Sequence, residues 1–282
     1  MTVRLPNMLY IGSDKAGSSW LHEVLIRHRQ IFMSPAKDLY FFDRYYDRGL
    51  DWYREQFRGA TEQHVIVGEV CQDYLFHPQA ADRIQDTLGS VRLMVTVREP
   101  VDRAFSSYLY MLKHGMRVGS FREALSSHPE LLEHGRYATG LRRFLRHVDR
   151  SKVHVAVFDD LVESPQSFID DVLVWLGVSP MELDEKLLAA RLPASKARSV
   201  VLARAIRGAA DWARVHDQAR LVGVVKRSGL TQRLLYQPLA ERPMLSDEDR
   251  AFVQSVLEPE IIDLEDLFGL RLRKRWGWTE HP

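Results

Sequence analysis

A chain of 282 residues with 45% hydrophobic content and six tryptophans is long enough for one sizeable core, or for a core with a smaller subdomain. Its 39 basic and 38 acidic residues leave a net charge of +1, which argues against general attraction to nucleic acid or an anionic membrane and still allows a local basic pocket. One cysteine, Cys71, excludes an intrachain disulfide and favours a reducing compartment; with no signal-peptide pattern and no apolar run of spanning length, a soluble cytoplasmic protein is expected.

In chain order, residues 7–12 form an apolar run ending at Gly12, which suits a buried strand. From Gly17 the residues Trp20, Leu21, Val24, Leu25 and His28 recur at helical spacing. Further buried strands are predicted at 64–68, 91–97 and 153–158, with helical patterns around 137–148 and 168–176 between and after them. Continuous apolar strands alternating with helices predict an α/β fold, a parallel sheet flanked by helices. Residues 180–245 are rich in Arg, Leu and Ala and predict helices and loops without strands. A closing helix or pair of helices follows, with Ser246 as N-cap, acids in the first turn and Gly269 as the stop. The expectation is a single domain over 1–282, with the core sheet in 7–180 and a helical C-terminal part in 181–282.

Two stretches carry chemistry. The first, "GSDKAGSSW", has glycines at 12 and 17, spaced as in a nucleotide-binding P-loop, but its lysine is Lys15, inside the loop, and Ser18 stands where a P-loop has lysine. Glycines let backbone N–H groups converge on an anion, the following helix presents its positive end, and Ser18 and Ser19 add hydroxyl donors. The second, "VREPVDRAFSSY", follows an apolar strand that ends in Arg98, where a kinase or nucleotide hydrolase would have an aspartate to help hold magnesium. Arg98 offers a fork of donors to a phosphate instead. Pro100 suits the first position of a helix, and Ser106 falls on roughly the same face as Arg98, two turns on.

Lysine inside G-x-x-K-x-G-[ST]-[ST], followed by R-x-P-x-x-R-x-x-S-x-Y, resembles the sulfotransferases that use 3′-phosphoadenosine 5′-phosphosulfate (PAPS). The resemblance implies that Lys15, Ala16, Gly17, Ser18, Ser19 and Trp20 bind the 5′-phosphosulfate, and that Arg98 and Ser106 bind the 3′-phosphate. It also implies that Lys15 meets the bridge where negative charge grows as the sulfuryl group departs. "SPAKDLYFFDRYYDRGLDWY" is similar to the K-E-x-H-F-F-D segment of heparan-sulfate-type and related bacterial sulfotransferases, with Asp38 for the glutamate and Tyr40 for the histidine. "GEVCQDYL" matches an E-K-[ST]-x-x-Y segment, with Val70 for the lysine. "LPASKARSVV" resembles the basic loop over the adenosine, which implies Ser195, Lys196 and Arg198 as further cofactor contacts.

Sulfuryl transfer to a hydroxyl or amine needs a base, and two carboxylates are candidates. Glu69 follows the "VIVG" run, at the strand end where open α/β sheets place ligands, and it matches the base of the N-sulfating branch. Asp38 matches the base of the 3-O-sulfating branch. Glu69 is the preferred reading, with Lys37 and Lys15 supplying positive charge. His64 and His77 are read as structural. The aromatics of "YFFDRYYDRGLDWY" divide between a flap packed on the sheet and the wall of an acceptor pocket. The balanced charge favours a small hydroxylated acceptor over a polyanion, with no nucleic-acid or membrane partner and no metal. The competing readings are a P-loop kinase or nucleotide hydrolase, and a non-catalytic nucleotide-binding module on the same fold. The acceptor and the oligomeric state are not legible.

Overall fold

Five short apolar runs form the strands of one sheet: β1 (Met8–Gly12), β2 (Ile31–Met33), β3 (Ile66–Val70), β4 (Arg92–Val97) and β5 (Val153–Val157). They pair in the order β2-β3-β1-β4-β5, each neighbour parallel. The computed structural model describes residues 3–188, 195–197, 236–238 and 243–278. These fall into two units, one of Met1–Glu99, Arg136–Ala190 and Leu257–Pro282, the other of Pro100–Gly135 and Arg191–Val256.

The first unit holds the sheet with α1 (Ser18–Leu25), α2 (Gly49–Glu55) and α3 (Ala80–Leu88). In the second, α4 (Pro100–Lys113) packs with α5 (Phe121–Ser127) and α6 (Glu130–Glu133). The chain then returns to the first unit for α7 (Tyr137–Phe144), α8 (Phe158–Glu163), α9 (Pro165–Leu176) and α10 (Glu185–Leu188). The strand pair β6 (Ser195–Ala197) and β7 (Tyr236–Pro238) belongs to the second unit. Helix α11 (Asp247–Phe268) begins in the second unit and ends in the first, where α12 (Leu272–Trp276) follows.

Alternation along the strands decides which side chains meet which helices. Met8 and Tyr10 of β1, Ile66 and Val70 of β3 and Met94 of β4 share one buried cluster with Trp20, Leu21, Val24 and Leu25 of α1 and Phe168, Ile169, Val172 and Leu173 of α9. Leu9, Val67, Glu69 and Val95 therefore lie on the opposite face. Both faces being covered, the strands read as uninterrupted apolar runs. The α/β expectation is met.

Three local expectations are corrected. Strand β2 was not foreseen, because three residues carry no period. The 180–245 segment contains, among its described residues, the antiparallel pair β6–β7 rather than helices and loops alone. The third strand runs to Val70 rather than stopping at Gly68, which moves Glu69 inside it. Gly68 is there for close approach: a Cβ would lie 2.7 Å from the Met8 carbonyl on β1.

The second unit is held by polar contacts as well as rings. Ser120 and Glu123 form a reciprocal capping box at α5, the fully buried Arg103 donates to the Leu131 carbonyl, and Phe105 meets Phe121 edge-on at 5.2 Å. The expected N-cap of α11 is present, with Ser246 Oγ accepting from the Asp249 N–H at 3.1 Å. Among the described residues no helix is long and apolar enough to cross a membrane.

Candidate active site

The C-terminal ends of β1, β3 and β4 bring three segments of the first unit together. After β1 the Ser13 N–H and Oγ both donate to the Thr96 carbonyl of β4, at 3.1 and 2.9 Å, so the loop 13–17 is pinned to the end of that strand. Lys15 takes a left-handed φ of 60°, and Gly17, the residue before α1, has φ 86°. A Cβ at Gly17 would stand 2.5 Å from Leu161, so glycine is required for both backbone shape and space. Ser18 opens α1 and is buried, whereas Ser19 is exposed. No side chain caps this helix start, which leaves its first N–H groups without an intrahelical or capping side-chain acceptor. Trp20 is buried, and its Nε1–H donates to the Leu187 carbonyl of α10; it anchors the helix rather than lining the loop.

Arg98 directly follows β4, as expected. Its Nη1 donates to the Lys15 carbonyl at 2.9 Å, its guanidinium lies 4.8 Å from the centre of the Phe158 ring, and its own carbonyl accepts from Tyr137 Oη at 2.9 Å. Glu99 beside it accepts from Trp278 Nε1 at 3.0 Å. The loop lysine and the strand-end arginine are thus one structure, built on two strands and braced by α7, α8 and the C-terminal residues.

The third segment, 37–42, crosses the end of β3. The Asp38 N–H donates to the Val70 carbonyl at 2.8 Å. Lys37 Nζ bonds both Asp38 oxygens, at 2.7 and 2.6 Å, and Gln72 adds a 3.4 Å contact from its backbone N–H to Asp38 Oδ1. Asp38 and Tyr40 both have left-handed φ, 61° and 56°. Phe41, Phe42 and Tyr53 of the aromatic run are fully buried, whereas Tyr45 and Tyr46 are only half-buried.

Glu69 occupies a different environment from the strand-end carboxylate expected. Its side chain has 0% exposure, and neither carboxylate oxygen has a hydrogen-bond partner of good geometry. Burial pushes its pKa up to about 8, against the lowering effect of the nearby Tyr74 and Tyr53 hydroxyls. The Nδ1 atoms of His64 and His77 accept from the Thr61 and Gln79 N–H groups.

Of the remaining predicted residues, Ser106 is half-buried on α4 in the second unit, Ser195 and Lys196 lie in β6, and Arg198 lies outside the described residues. No site role is expected from the sequence for Gln72, Tyr74 or Tyr137, although Tyr74 is the tyrosine of the E-x-x-x-x-Y segment and Tyr137 that of a G-x-Y stretch.

Residues 69–182 match the model of the sulfotransferase family. Over these residues the chain is similar to that family. It is 30% identical over 190 residues to heparan sulfate glucosamine 3-O-sulfotransferase 6 of Mus musculus, covering 64% of this chain and 55% of that one. It is 33% identical over 111 residues to the membrane-associated sulfotransferase kil1 of Dictyostelium discoideum, covering 39% of this chain and 24% of that one. The chain therefore spans about half the length of the first of these relatives and a quarter of the second. Among solved structures, a sulfotransferase from Alicyclobacillus acidocaldarius shares the fold, with a TM-score of 0.70 at 22% identity over 99% of this chain and all of that one.

The sulfotransferase motifs map onto the geometry just described. The K-x-G-S-S stretch is the loop and first turn of α1, the R-x-P stretch begins at the end of β4, and the K-D stretch is the segment crossing β3.

Proposed function

We propose that this protein transfers a sulfuryl group from PAPS to a hydroxyl of a small acceptor. The observation that carries the reading is the union of Lys15 and Arg98 at an uncapped helix start. A guanidinium tied to the backbone of a lysine-bearing loop at a helix start suits an anionic nucleotide, and neither position carries the acid that a magnesium-bound triphosphate needs. The donor chemistry fits PAPS: Lys15, Gly17, Ser18 and Ser19 would hold its 5′ end and Arg98 its 3′-phosphate. Ser106, Ser195, Lys196 and Arg198 are assigned to the same nucleotide by motif alone.

When bound, PAPS supplies an electrophilic sulfur and a good leaving group. The chain supplies the rest. Asp38, held in the segment that crosses β3, takes the acceptor's proton as the new O–S bond forms. Lys37 neutralises the carboxylate and orients it. Lys15 meets the charge left on PAP as the bridging O–S bond breaks. Between the two candidate bases, Asp38 is favoured because its segment crosses the end of β3 and its side chain, though buried, keeps some exposure, whereas Glu69 within the strand has none. The balanced net charge and the aromatic flap support a small acceptor over a polyanion, and the single cysteine supports a reducing, cytoplasmic setting.

Calorimetric titration with PAP, with AMP and with ATP plus magnesium tests the reading. PAP binding far tighter than AMP means that the 3′-phosphate is read. Tightest binding of ATP–magnesium would instead put the chain among phosphoryl-transfer proteins.

A further inference from the structure

Glu69 is a fully buried carboxyl that the proposed chemistry does not use. Its neighbours Tyr53 of α2 and Tyr74 are fully buried too, and the pKa of each is raised by burial first and by Glu69 second. The same two rings hold the segment that carries Lys37 and Asp38. Tyr74 Oη accepts from the Phe41 N–H at 3.0 Å. The Tyr53 ring stacks on Phe41 at 4.4 Å, with the planes 11° apart, and meets Phe42 edge-on at 5.1 Å. Tyr74 also meets Phe42 edge-on, at 5.4 Å. One residue along the strand from Glu69, the Val70 carbonyl accepts from the Asp38 N–H.

That segment needs holding. Left-handed backbone at Asp38 and Tyr40, neither a glycine, persists only where the surroundings over-determine it. Tyr74, having accepted from the Phe41 N–H, still has its own O–H proton to donate, and a protonated Glu69 carries one as well. We propose that Glu69 is a positioning residue: with Tyr53 and Tyr74 it clamps residues 38–42, and so fixes where the Asp38 carboxylate stands, without taking the acceptor's proton itself. The catalytic half of this rests on Asp38 being the base. The clamp itself does not. The raised pKa of Glu69 agrees with it, since a carboxyl that keeps its proton near neutral pH serves better as a hydrogen-bond donor than as a base.

The test compares Glu69→Gln, Glu69→Leu, Tyr74→Phe and Asp38→Asn in the full chain. Amide hydrogen exchange is followed over residues 36–42, PAP affinity by calorimetry, and turnover as PAP release from PAPS with p-nitrophenol as the acceptor probe. A clamp predicts that Gln, which can still donate and accept, keeps the Asp38 and Phe41 amides protected and keeps turnover within about threefold of wild type. Leu should speed exchange at both amides at least tenfold and lower turnover at least tenfold, with PAP affinity within twofold. Tyr74→Phe, which preserves the ring, should speed exchange at Phe41 and keeps the test decisive if the Leu variant does not fold. Unchanged exchange in both the Leu and Phe variants overturns the clamp. So does a Gln variant that keeps protection yet loses turnover as Asp38→Asn does, because Glu69 would then be the base. Full turnover in Asp38→Asn, or wild type blind to PAP, would sink the functional reading and leave the exchange result standing on its own.

Discussion

The Arg98 guanidinium donates to the backbone carbonyl of Lys15 at 2.9 Å. One proposed phosphate ligand thereby fixes the backbone of the other, across 83 residues of sequence. Removing the two side chains should accordingly have unequal effects. Lys15→Ala loses one charge-assisted contact, a cost on the order of 1.5–3 kcal/mol in PAP affinity. Arg98→Ala loses such a contact and also releases the loop, so it should cost more. Arg98→Lys should recover only part of the loss, because an ammonium lacks the fork that serves carbonyl and phosphate together. Calorimetric titration of the three variants with PAP gives the order; equal losses in the two alanine variants would mean the 2.9 Å contact has no energetic role.

Asp38→Asn keeps the shape of the segment over β3 and removes its basicity. Turnover should fall by about 10²–10⁴-fold while PAP affinity stays near wild type. Single-turnover measurements separate this from a binding defect. Because Lys37 bonds both Asp38 oxygens, Lys37→Ala should also slow the chemical step, though less, by leaving the carboxylate without its fixed orientation.

Much of this site is legible in the sequence, and the illegible part has physical causes. The loop and Arg98 could be read because a phosphate site needs glycines, hydroxyls and cations at the turn between a strand and a helix, and those residue types are distinctive. The position of Glu69 could not. A glycine at the end of an apolar run reads as a strand terminus, but Gly68 is an interior residue required by the closeness of β1, and that two-residue extension turns an exposed strand-end carboxylate into an enclosed one. Strand β2 escapes because Ile31–Met33 is too short to show a pattern. The left-handed backbone at Asp38 and Tyr40 leaves no trace in residue type, since no glycine marks it.

Gly17 is the loop residue whose replacement should be felt most in folding. At φ 86°, with a Cβ placed 2.5 Å from Leu161, alanine must either strain the backbone or displace α8. Gly17→Ala should cost about 1–3 kcal/mol of stability and weaken PAP binding, because the N–H groups that follow would no longer converge. Denaturant unfolding and PAP titration check the two effects. Wild-type stability together with wild-type affinity would show that the loop tolerates a side chain.

The Glu69 carboxyl makes stability depend on pH in a stated direction. Burial raises its pKa from 4.5 to about 8 in the folded chain. Between those values the folded state binds more protons than the unfolded state, so stability is highest below the lower value, falls as pH rises and levels off above the upper one. Asp43, pushed up to about 6 by burial, contributes with the same sign at the acidic end. His154, lowered by burial from 6.5, opposes both, but only where the unfolded chain would protonate it. The stretch from 6.5 to 8 therefore reports mainly on Glu69. Over it, wild type should lose stability at up to ~1.4 kcal/mol per pH unit, and Glu69→Gln, which has no proton to lose, should flatten the slope. Denaturant midpoints for both proteins across this window decide the matter. Parallel slopes would mean that Glu69 is ionised in the folded chain already at the lower end of the window, and the upward shift attributed to its burial would be wrong.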